Sequence, residues 1–296
     1  MNHKKPTFLV IGAEKSGTTW LYNQLNLHPD VYVPLTKETH FFNKKNSNLE
    51  NIDNYQLGWN WYNSFFKGYN GESAVGEVTP MYICDDLAAE RIHKSIPDVK
   101  IIFILRNPIK RAYSHYWMAF RKNHIKTSFE KVVLDKEIRV IQRGLYYKQL
   151  KKYYNLFPPD QIMGFEFDDF FLNQDVNLRK ISNFIGVPFE GFFEKKKQEM
   201  SKKSYAASKP RSFFIFKLIS NTAKFLRRNN ITNVFLDKIK KMGWTQKLKS
   251  WNTKQEAYPP MDKEVHDILR DYYREDIVKL ELLTGLNLEK WRKNIR

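Results

Sequence analysis

A glycine-containing stretch near the start of the chain has residue types that could bind a phosphate group. Residues 12–19 read GAEKSGTT, and seven of these eight positions fit the phosphate-loop pattern G-x-x-x-x-G-K-[ST]. The exception is Thr18, which stands where the loop lysine is expected, whereas Lys15 lies three positions earlier. Such a loop gathers backbone N–H groups and the positive end of a helix around an anion. The Lys15 ammonium could then face a group attached to a 5′-phosphate, which suits transfer of one charged group without a metal.

Strand and helix patterns on both sides of the loop provide the context that a phosphate loop needs. Phe8 to Ile11 is an all-apolar run typical of a buried parallel strand, and Thr18 to Leu27 has apolar residues close to helical spacing. Further strands are predicted at 31–33, 74–78, 100–105 and 161–165, and helices at 85–95, from 108, and at 129–143, 146–156, 178–185 and 261–283. This alternation predicts an α/β fold with a P-loop-like, doubly wound parallel sheet flanked by helices, in a single domain over residues 1–296.

The string KSGTTW at residues 15–20 resembles the 5′-phosphosulfate loop of sulfotransferases that use 3′-phosphoadenylyl sulfate (PAPS). The resemblance implies that PAPS is the co-substrate and that no metal is needed. The residues that it assigns to PAPS binding are Lys15, Ser16, Gly17, Thr18, Thr19 and Trp20, the last at the position that stacks on adenine. Two alternatives stand beside it: a degenerate nucleoside-triphosphate loop and, for Trp20, a place in the core facing the sheet.

PAPS carries a 3′-phosphate that ATP lacks, so a second anion site is expected. The stretch KIIFILRNPIKRAYSHYW places Arg106 at the end of a predicted strand and Ser114 eight residues later, at the interval that the family uses for this contact. Arginine suits bidentate contact with a phosphate, and serine adds a hydroxyl donor. For Arg106 alone, the alternative is an ion pair with a local acid.

The family also closes a late basic loop over the 3′-phosphate, and the strings that it uses there are absent from this chain. The nearest candidate is SKPRSFF, which contributes Lys209, Arg211 and Ser212. The alternative is that these residues belong to a general basic surface.

The stretch KETHFF at residues 37–42 closely resembles the K-E-x-H-F-F string of heparan-type glycan sulfotransferases and their bacterial relatives. The resemblance implies that Glu38 is the catalytic base, and a carboxylate of ordinary pKa is ionised at pH 7 and can accept a proton. Lys37 could hold Glu38 ionised or touch the substrate. His40 could also serve as a base, although the family implies a structural place for it. The alternative for Glu38 is a surface ion pair with Lys37 or Lys44.

GEVTPMY at residues 76–82 resembles the E-K-T-P-x-Y segment that lines the acceptor cleft of the same enzymes. Val78 replaces the lysine of that segment, which is a departure from a heparan-like acceptor contact. Glu77 is predicted as a second carboxylate near the cleft, binding substrate together with Lys37 and His40. Tyr146 matches a tyrosine near the nucleotide in the family, but core packing is the preferred interpretation.

The charge of the chain is strongly positive and unevenly distributed. The net charge is +18, and Lys195 to Lys254 contains 17 Lys and Arg against 2 acidic residues. Such a field attracts polyanions or an anionic membrane, or it is simply a solvated basic surface. Alternating aromatic and basic residues in the insert at about 212–254 could form an amphipathic helix on a membrane, or a lid over the site.

Only one cysteine, Cys84, is present, which excludes an internal disulfide framework and fits a reducing compartment. The chain also has no apolar stretch of membrane-spanning length. These features predict a cytoplasmic protein with possible peripheral contact with the inner face of the membrane, and nucleic acid is not an expected partner.

Together these features predict an O-sulfotransferase that moves the sulfuryl group of PAPS to a hydroxyl of a glycan, a glycolipid or another acceptor. The resemblance covers most of the chain except the basic insert. The alternatives are a P-loop kinase, which would need a lysine at position 18, and a membrane- or polyanion-associated nucleotide-binding protein.

Overall fold

The structure is a computed structural model that describes residues 5–46, 48–192, 207–210, 253–256 and 258–292, with side chains outside 207–210 and 253–256. Its centre is a parallel sheet of five strands in the order β2-β3-β1-β4-β5. The strands are β1 (Phe8–Gly12), β2 (Val31–Tyr32), β3 (Ala74–Val78), β4 (Lys100–Leu105) and β5 (Ile162–Glu166). The predicted α/β fold with a doubly wound parallel sheet is therefore confirmed.

The α-helices connect and cover these strands. In chain order they are α1 (Thr18–Leu27), α2 (Gly58–Asn63), α3 (Ala88–Ser95), α4 (Pro108–Arg121), α5 (Phe129–Leu134), α6 (Tyr146–Leu156), α7 (Phe167–Leu172), α8 (Gln174–Ile185), α9 (Lys263–Thr284) and α10 (Glu289–Arg292). Short 3-10 helices lie at Asn54–Leu57, Ser64–Phe66, Tyr82–Cys84, Gln142–Gly144, Pro159–Gln161 and Phe189–Phe192.

The centre of the sheet is the core of the fold. All residues of β1 and β3 are buried, because helices cover both faces of a doubly wound sheet and leave no solvent-facing side. β1 and β3 approach closely: a Cβ at Gly76 would lie 2.1 Å from the ring of Phe8, so only glycine fits there.

The strand order places a topological switch point between β1 and β4. The chain leaves β1 toward β2 and β3 on one side, and it leaves β4 toward β5 on the other. Loops that follow the carboxyl ends of two such strands diverge and leave a crevice, which is where open α/β sheets bind ligands. The loop after β1 and Arg106 after β4 flank this crevice.

The helix predicted over residues 129–143 is wrong in its second half. The helix ends at Leu134, and Lys136 then adopts a left-handed backbone with φ 47°. The following backbone is held by distant side chains instead: Arg111 donates to the Val140 carbonyl, and the Tyr273 hydroxyl donates to the Ile141 carbonyl at 2.7 Å. The amphipathic pattern of 129–143 gave no signal of these contacts.

The chain separates into two compact units. The first comprises Met1–Tyr116, Ile125–Glu199 and Met261–Arg296, and it contains the whole parallel sheet. The second comprises Trp117–His124 and Met200–Pro260. In the second unit, β6 (Ala207–Pro210) pairs antiparallel with β7 (Thr253–Glu256). The prediction of a single domain stays a prediction.

Candidate active site

The glycine loop joins β1 directly to the N-terminus of α1. Gly17 is the N-cap of α1 with φ 81°, and no side chain caps the helix. The first turn of α1 contains no acidic residue, so the positive end of its dipole is not neutralised within that turn. This is the backbone arrangement that binds anions at helix N-termini.

Two residues of the loop, Gly17 and Ser16, are closely surrounded by protein. A Cβ at Gly17 would lie 2.6 Å from the Phe171 ring, so the position requires glycine for space as well as for its left-handed backbone. The Ser16 side chain is fully buried, and its hydroxyl has no hydrogen-bond partner among the described residues. A buried hydroxyl of this kind is usually satisfied, so its position in the loop suits an anionic ligand.

Arg106 spans the crevice between β4 and the loop. Its Nη1 donates to the Lys15 carbonyl at 3.3 Å, and its guanidinium lies over the Phe167 ring with 4.9 Å to the centroid. The Tyr146 hydroxyl, which is buried, donates to the Arg106 carbonyl at 3.0 Å. Tyr146 is thus a core residue, and it fixes the backbone of Arg106. Ser114 lies two turns along α4 and is buried.

Trp20 packs into the protein. Its ring lies edge-on to Phe170 and Phe171, with centroids 5.9 and 5.2 Å apart, and the side chain is buried. This contact with α7 favours the core alternative for Trp20, and adenine stacking stays a prediction.

Glu38 lies between two basic side chains in the loop after β2. Its Oε1 accepts from Lys37 Nζ at 2.8 Å, and its Oε2 lies 3.5 Å from His40 Nε2. The Glu38 side chain is 37% exposed, so a ligand can still reach it. The ion pair with Lys37 therefore exists, and it does not bury the carboxylate.

The backbone of this loop is anchored on both sides. The Tyr22 hydroxyl of α1 donates to the Pro34 carbonyl at 2.8 Å, which ties the loop to the helix that follows the glycine loop. The Asn54 amide donates to the His40 carbonyl at 3.2 Å. His40 itself has φ 55°, and its Nδ1 lies 3.3 Å from Asn43 Oδ1. These contacts give His40 a structural place beside its proximity to Glu38.

Glu77 is buried beneath the same loop and serves as a hydrogen-bond acceptor. The hydroxyls that donate to it are Thr39 (2.6 Å), Tyr62 (2.6 Å), Thr79 (2.5 Å) and Tyr82 (2.7 Å). Burial and the nearby Glu77 carboxylate raise the pKa of Tyr62 and of Tyr82 well above the ordinary value of 10, so both remain donors at neutral pH.

Because Glu77 is fully buried and saturated with donors, its geometry favours a supporting role over direct contact with an acceptor. Substrate binding by Glu77 stays a prediction that this position does not favour. Through Thr39 and Thr79, Glu77 connects the Glu38 loop to the end of β3, and the Thr79 N–H donates to the Val10 carbonyl of β1 at 3.0 Å.

The structure also reveals a cluster that the sequence reasoning missed. Glu14, inside the glycine loop, accepts from Arg143 Nη1 at 3.0 Å, and its Oε2 lies 3.5 Å from His115 Nδ1. Arg143 follows Glu14 by 129 positions in the chain, so no local pattern could have paired them. The only sequence signal was an acidic residue in a loop expected to bind an anion.

Part of the predicted site lies outside what the structure describes. Arg211 and Ser212 are outside the described residues, and for Lys209 only the backbone in β6 is described. Their role at the 3′-phosphate stays a prediction, as does the role of the insert at about 212–254.

Two kinds of feature are absent from the described ranges. Within residues 5–46, 48–192 and 258–292, no group of three or more His, Cys, Asp or Glu side chains is arranged to hold a metal ion. In the same part of the chain, no helix combines the length and the apolar character needed to cross a membrane.

A parallel sheet whose first strand enters an uncapped helix through a glycine loop defines an α/β protein of the phosphate-loop type. The family model described as Sulfotransferase domain matches residues 5–280, so the chain belongs to the sulfotransferase domain family. The resemblance inferred from KSGTTW and KETHFF is thereby confirmed.

Curated relatives are glycan-modifying enzymes by name. The chain is 29% identical over 194 residues to heparan sulfate glucosamine 3-O-sulfotransferase 5 of Mus musculus, which covers 62% of this chain and 54% of that protein. It is 26% identical over 317 residues to bifunctional heparan sulfate N-deacetylase/N-sulfotransferase 3 of Homo sapiens, covering 97% of this chain and 31% of that protein. The chain therefore spans about half or less of the length of these relatives.

A solved structure shares the fold over the whole chain. The crystal structure of a sulfotransferase from Alicyclobacillus acidocaldarius superposes with a TM-score of 0.68 at 24% identity, and it covers 98% of this chain and 100% of that one. At this identity the likeness concerns the fold alone.

Proposed function

We propose that this protein is a PAPS-dependent O-sulfotransferase that acts on a hydroxyl of a glycan. The observation that carries the proposal is the loop of residues 12–19. It combines an uncapped helix N-terminus, a left-handed Gly17 with no free space for a Cβ and a buried Ser16 hydroxyl with no partner among the described residues. Family membership supports a sulfated nucleotide as the ligand.

The residues present fit PAPS as co-substrate. PAPS, when bound, supplies the sulfuryl group on its 5′-phosphate. The N-terminus of α1 and the hydroxyls of Ser16, Thr18 and Thr19 would hold that phosphate. Arg106, directly after β4, and Ser114, on α4, would hold the 3′-phosphate. Position 18 carries no ammonium for a γ-phosphate, which disfavours a kinase.

Glu38 is the proposed base. Its carboxylate takes the proton of the acceptor hydroxyl while the acceptor oxygen forms a bond to sulfur and the bond from sulfur to the phosphate oxygen breaks. Lys15 stabilises the negative charge that develops on the phosphate, since an ammonium beside a leaving oxygen lowers the barrier electrostatically. Lys37 and His40 orient Glu38 through the contacts at 2.8 and 3.5 Å.

The acceptor class rests on the relatives. Both curated relatives carry heparan sulfate in their names, which supports a sugar hydroxyl as acceptor. Val78 stands where the heparan-type segment has lysine, so the acceptor is proposed as a glycan and not specifically as heparan sulfate. Labelled sulfate from PAPS should appear on a polysaccharide in a screen that also contains a small alcohol and a tyrosine peptide.

Nucleotide-dependent melting tests the proposal. The product adenosine 3′,5′-bisphosphate (PAP) at about 100 times its Kd should stabilise the protein by about 3 kcal/mol and raise the Tm by several degrees. Mg-ATP should leave the Tm unchanged. Stabilisation by Mg-ATP with no effect of PAP would instead support a kinase.

Two further predictions accompany this function. Peripheral contact with an anionic membrane is tested by pelleting the protein with phosphatidylserine vesicles, with and without residues 212–254. A cytoplasmic location is tested by fractionating cells that express the protein.

A further inference from the structure

The acidic residue of the glycine loop has a buried partner far away in the chain. Glu14 Oε2 accepts from Arg143 Nη1 at 3.0 Å and lies 3.5 Å from His115 Nδ1. The Arg143 and His115 side chains are 6% and 5% exposed, and that of Glu14 is 20% exposed. The pair is thus largely shielded from water, where an arginine–carboxylate contact is less screened than at the surface.

The next residue of the loop, Lys15, has a backbone that needs support. Its φ is 71°, a left-handed conformation that is disfavoured for a residue with a Cβ and that persists where the surroundings hold it. On one side, the Lys15 carbonyl accepts from Arg106 at 3.3 Å. On the other side, Glu14 is held by Arg143. Lys15 is therefore flanked by two contacts, each made by an arginine from a different part of the fold.

The imidazole next to the pair does not compete for the carboxylate. Burial, followed by the positive charges of Arg111, Arg143, Lys15 and Arg139, holds the pKa of His115 well below its ordinary value. His115 is therefore neutral at physiological pH. The charge attraction of Glu14 to Arg143 is then not shared with an imidazolium.

We propose that the Glu14–Arg143 pair is a positioning device that sets the direction in which the Lys15 ammonium leaves the loop. The inference rests on the proposed sulfotransferase function. Phosphate binding depends on the backbone of α1 and on loop hydroxyls. Stabilisation of the negative charge that develops on the leaving oxygen depends instead on the placement of Lys15. Loosening the pair therefore lowers the rate of transfer more than it weakens nucleotide binding.

The experiment compares Glu14→Gln, Arg143→Gln and the double variant with the full-length protein. The kcat for transfer of labelled sulfate from PAPS to heparan sulfate, or to the best acceptor of the screen, should fall by about 10- to 100-fold, the size expected for misplacing a catalytic group. The Kd for PAP, measured by calorimetry, should change by less than about threefold. The double variant should be no slower than the slower single variant, because both changes remove one interaction.

A matched control breaks a similar pair away from the loop. Asp267 and Arg270 on α9 form a contact of 2.8 Å, and Asp267→Asn should leave kcat unchanged. Glu14→Asp, which keeps the charge but shortens the side chain by one methylene, should give an intermediate kcat with a wild-type Tm. That variant keeps the test decisive if Glu14→Gln does not fold.

Three outcomes overturn the proposal. These are a wild-type kcat in Glu14→Gln, a wild-type kcat in Glu14→Asp when Glu14→Gln does not fold, and equal losses of kcat and PAP affinity. If the wild-type protein neither binds PAP nor transfers sulfate, the proposed function fails first and the positioning role fails with it. A wild-type protein that is active while Glu14→Gln is equally active removes only the positioning role.

Discussion

At the scale of single residues, the site depends on side chains whose partners fix their direction. Glu38 is held by Lys37 and faces His40, and both contacts leave more than a third of its side chain exposed. A base must be accessible to the acceptor yet fixed in direction, and this environment meets both conditions.

Replacing the proposed base tests that reading. Glu38→Gln should lower kcat by about 10²- to 10⁴-fold, because the amide cannot take the acceptor proton. The Kd for PAP should not change, since Glu38 is not expected to touch the nucleotide. The measurement is steady-state transfer of labelled sulfate with parallel calorimetry.

The matched control is Glu275→Gln, which removes an exposed carboxylate that is also paired with a lysine, Lys279 at 2.5 Å. Its kcat should equal that of the wild type. If Glu38→Gln kept full turnover, another group would have to be the base, and His40 would be the next candidate.

The buried hydrogen bonds of Glu77 lead to a separate prediction about stability. Glu77→Gln places an NH₂ group among hydroxyls that donate to a carboxylate, so donors face donors in a buried place. The free energy of unfolding should fall by about 2–3 kcal/mol in urea denaturation. Glu90→Gln, an exposed substitution on α3, should stay within about 0.5 kcal/mol of the wild type. If Glu77→Gln lost as little stability as Glu90→Gln, the four hydrogen bonds to Glu77 would make no net contribution to the free energy of unfolding.

At the scale of elements, the junction of β1 and α1 is the feature on which the proposed function depends. Gly17 gives this junction its left-handed turn and leaves room for Phe171. A side chain at this position would cause both backbone strain and steric overlap. Another left-handed glycine of the chain, which has free space around it, allows the two effects to be measured separately.

Gly17→Ala should destabilise the protein more than Gly186→Ala does. Gly186 has φ 79°, close to the 81° of Gly17, but nothing lies within 4 Å of the Cβ it would gain. Gly186→Ala should therefore cost only the strain, about 1 kcal/mol, while Gly17→Ala should cost about 1–3 kcal/mol more from the overlap with Phe171. Thermal unfolding gives both values. Equal losses would contradict the space argument.

Much of this element could be predicted from sequence, because its signals are local. The apolar run of β1, the glycines and the apolar spacing of α1 all lie within twenty residues, and the helix predicted at Thr18 to Leu27 has those bounds in the structure. The position of Arg106 at the carboxyl end of β4 could likewise be predicted, because an apolar run precedes it.

The remaining features depend on pairs that are far apart in sequence. The end of α5 at Leu134 depends on a left-handed lysine and on carbonyls taken by Arg111 and Tyr273, which no period in 129–143 encodes. The burial of Glu77 depends on Tyr62, whose place opposite β3 is set by the fold. The pairing of Glu14 with Arg143 could not be predicted from the sequence for the same reason. Residue types are local information, whereas the pairing of buried charges is tertiary information.

At the scale of the whole molecule, the stability should vary with pH through a buried carboxyl group. Asp276 on α9 accepts from the Tyr147 N–H at the start of α6, and burial raises its pKa from 3.8 to about 6. The folded state thus holds this proton more tightly than the unfolded chain does. The ionised group costs stability, a cost that is absent well below pH 4 and complete above about pH 7.

Asp276→Asn should remove this dependence. The free energy of unfolding of the variant, relative to the wild type, should be about 1 kcal/mol more favourable at pH 8 than at pH 5. Urea denaturation at the two pH values measures this difference. Asp98→Asn, at an exposed position before β4, should show no such change. A relative stability that did not increase between pH 5 and pH 8 would contradict the raised pKa of Asp276.

The hydroxyl of Tyr82 links the loop that contains Glu38, the proposed base, to the sheet. It donates to Glu77 at 2.7 Å and accepts from the Phe41 N–H at 3.0 Å, three residues after Glu38. The segment after β2 therefore becomes ordered when the chain folds, and the proposed acceptor does not have to order it. The entropic cost of ordering the reacting groups is then incurred during folding. Less of the binding free energy of the acceptor is therefore needed for ordering, and more can lower the barrier to transfer.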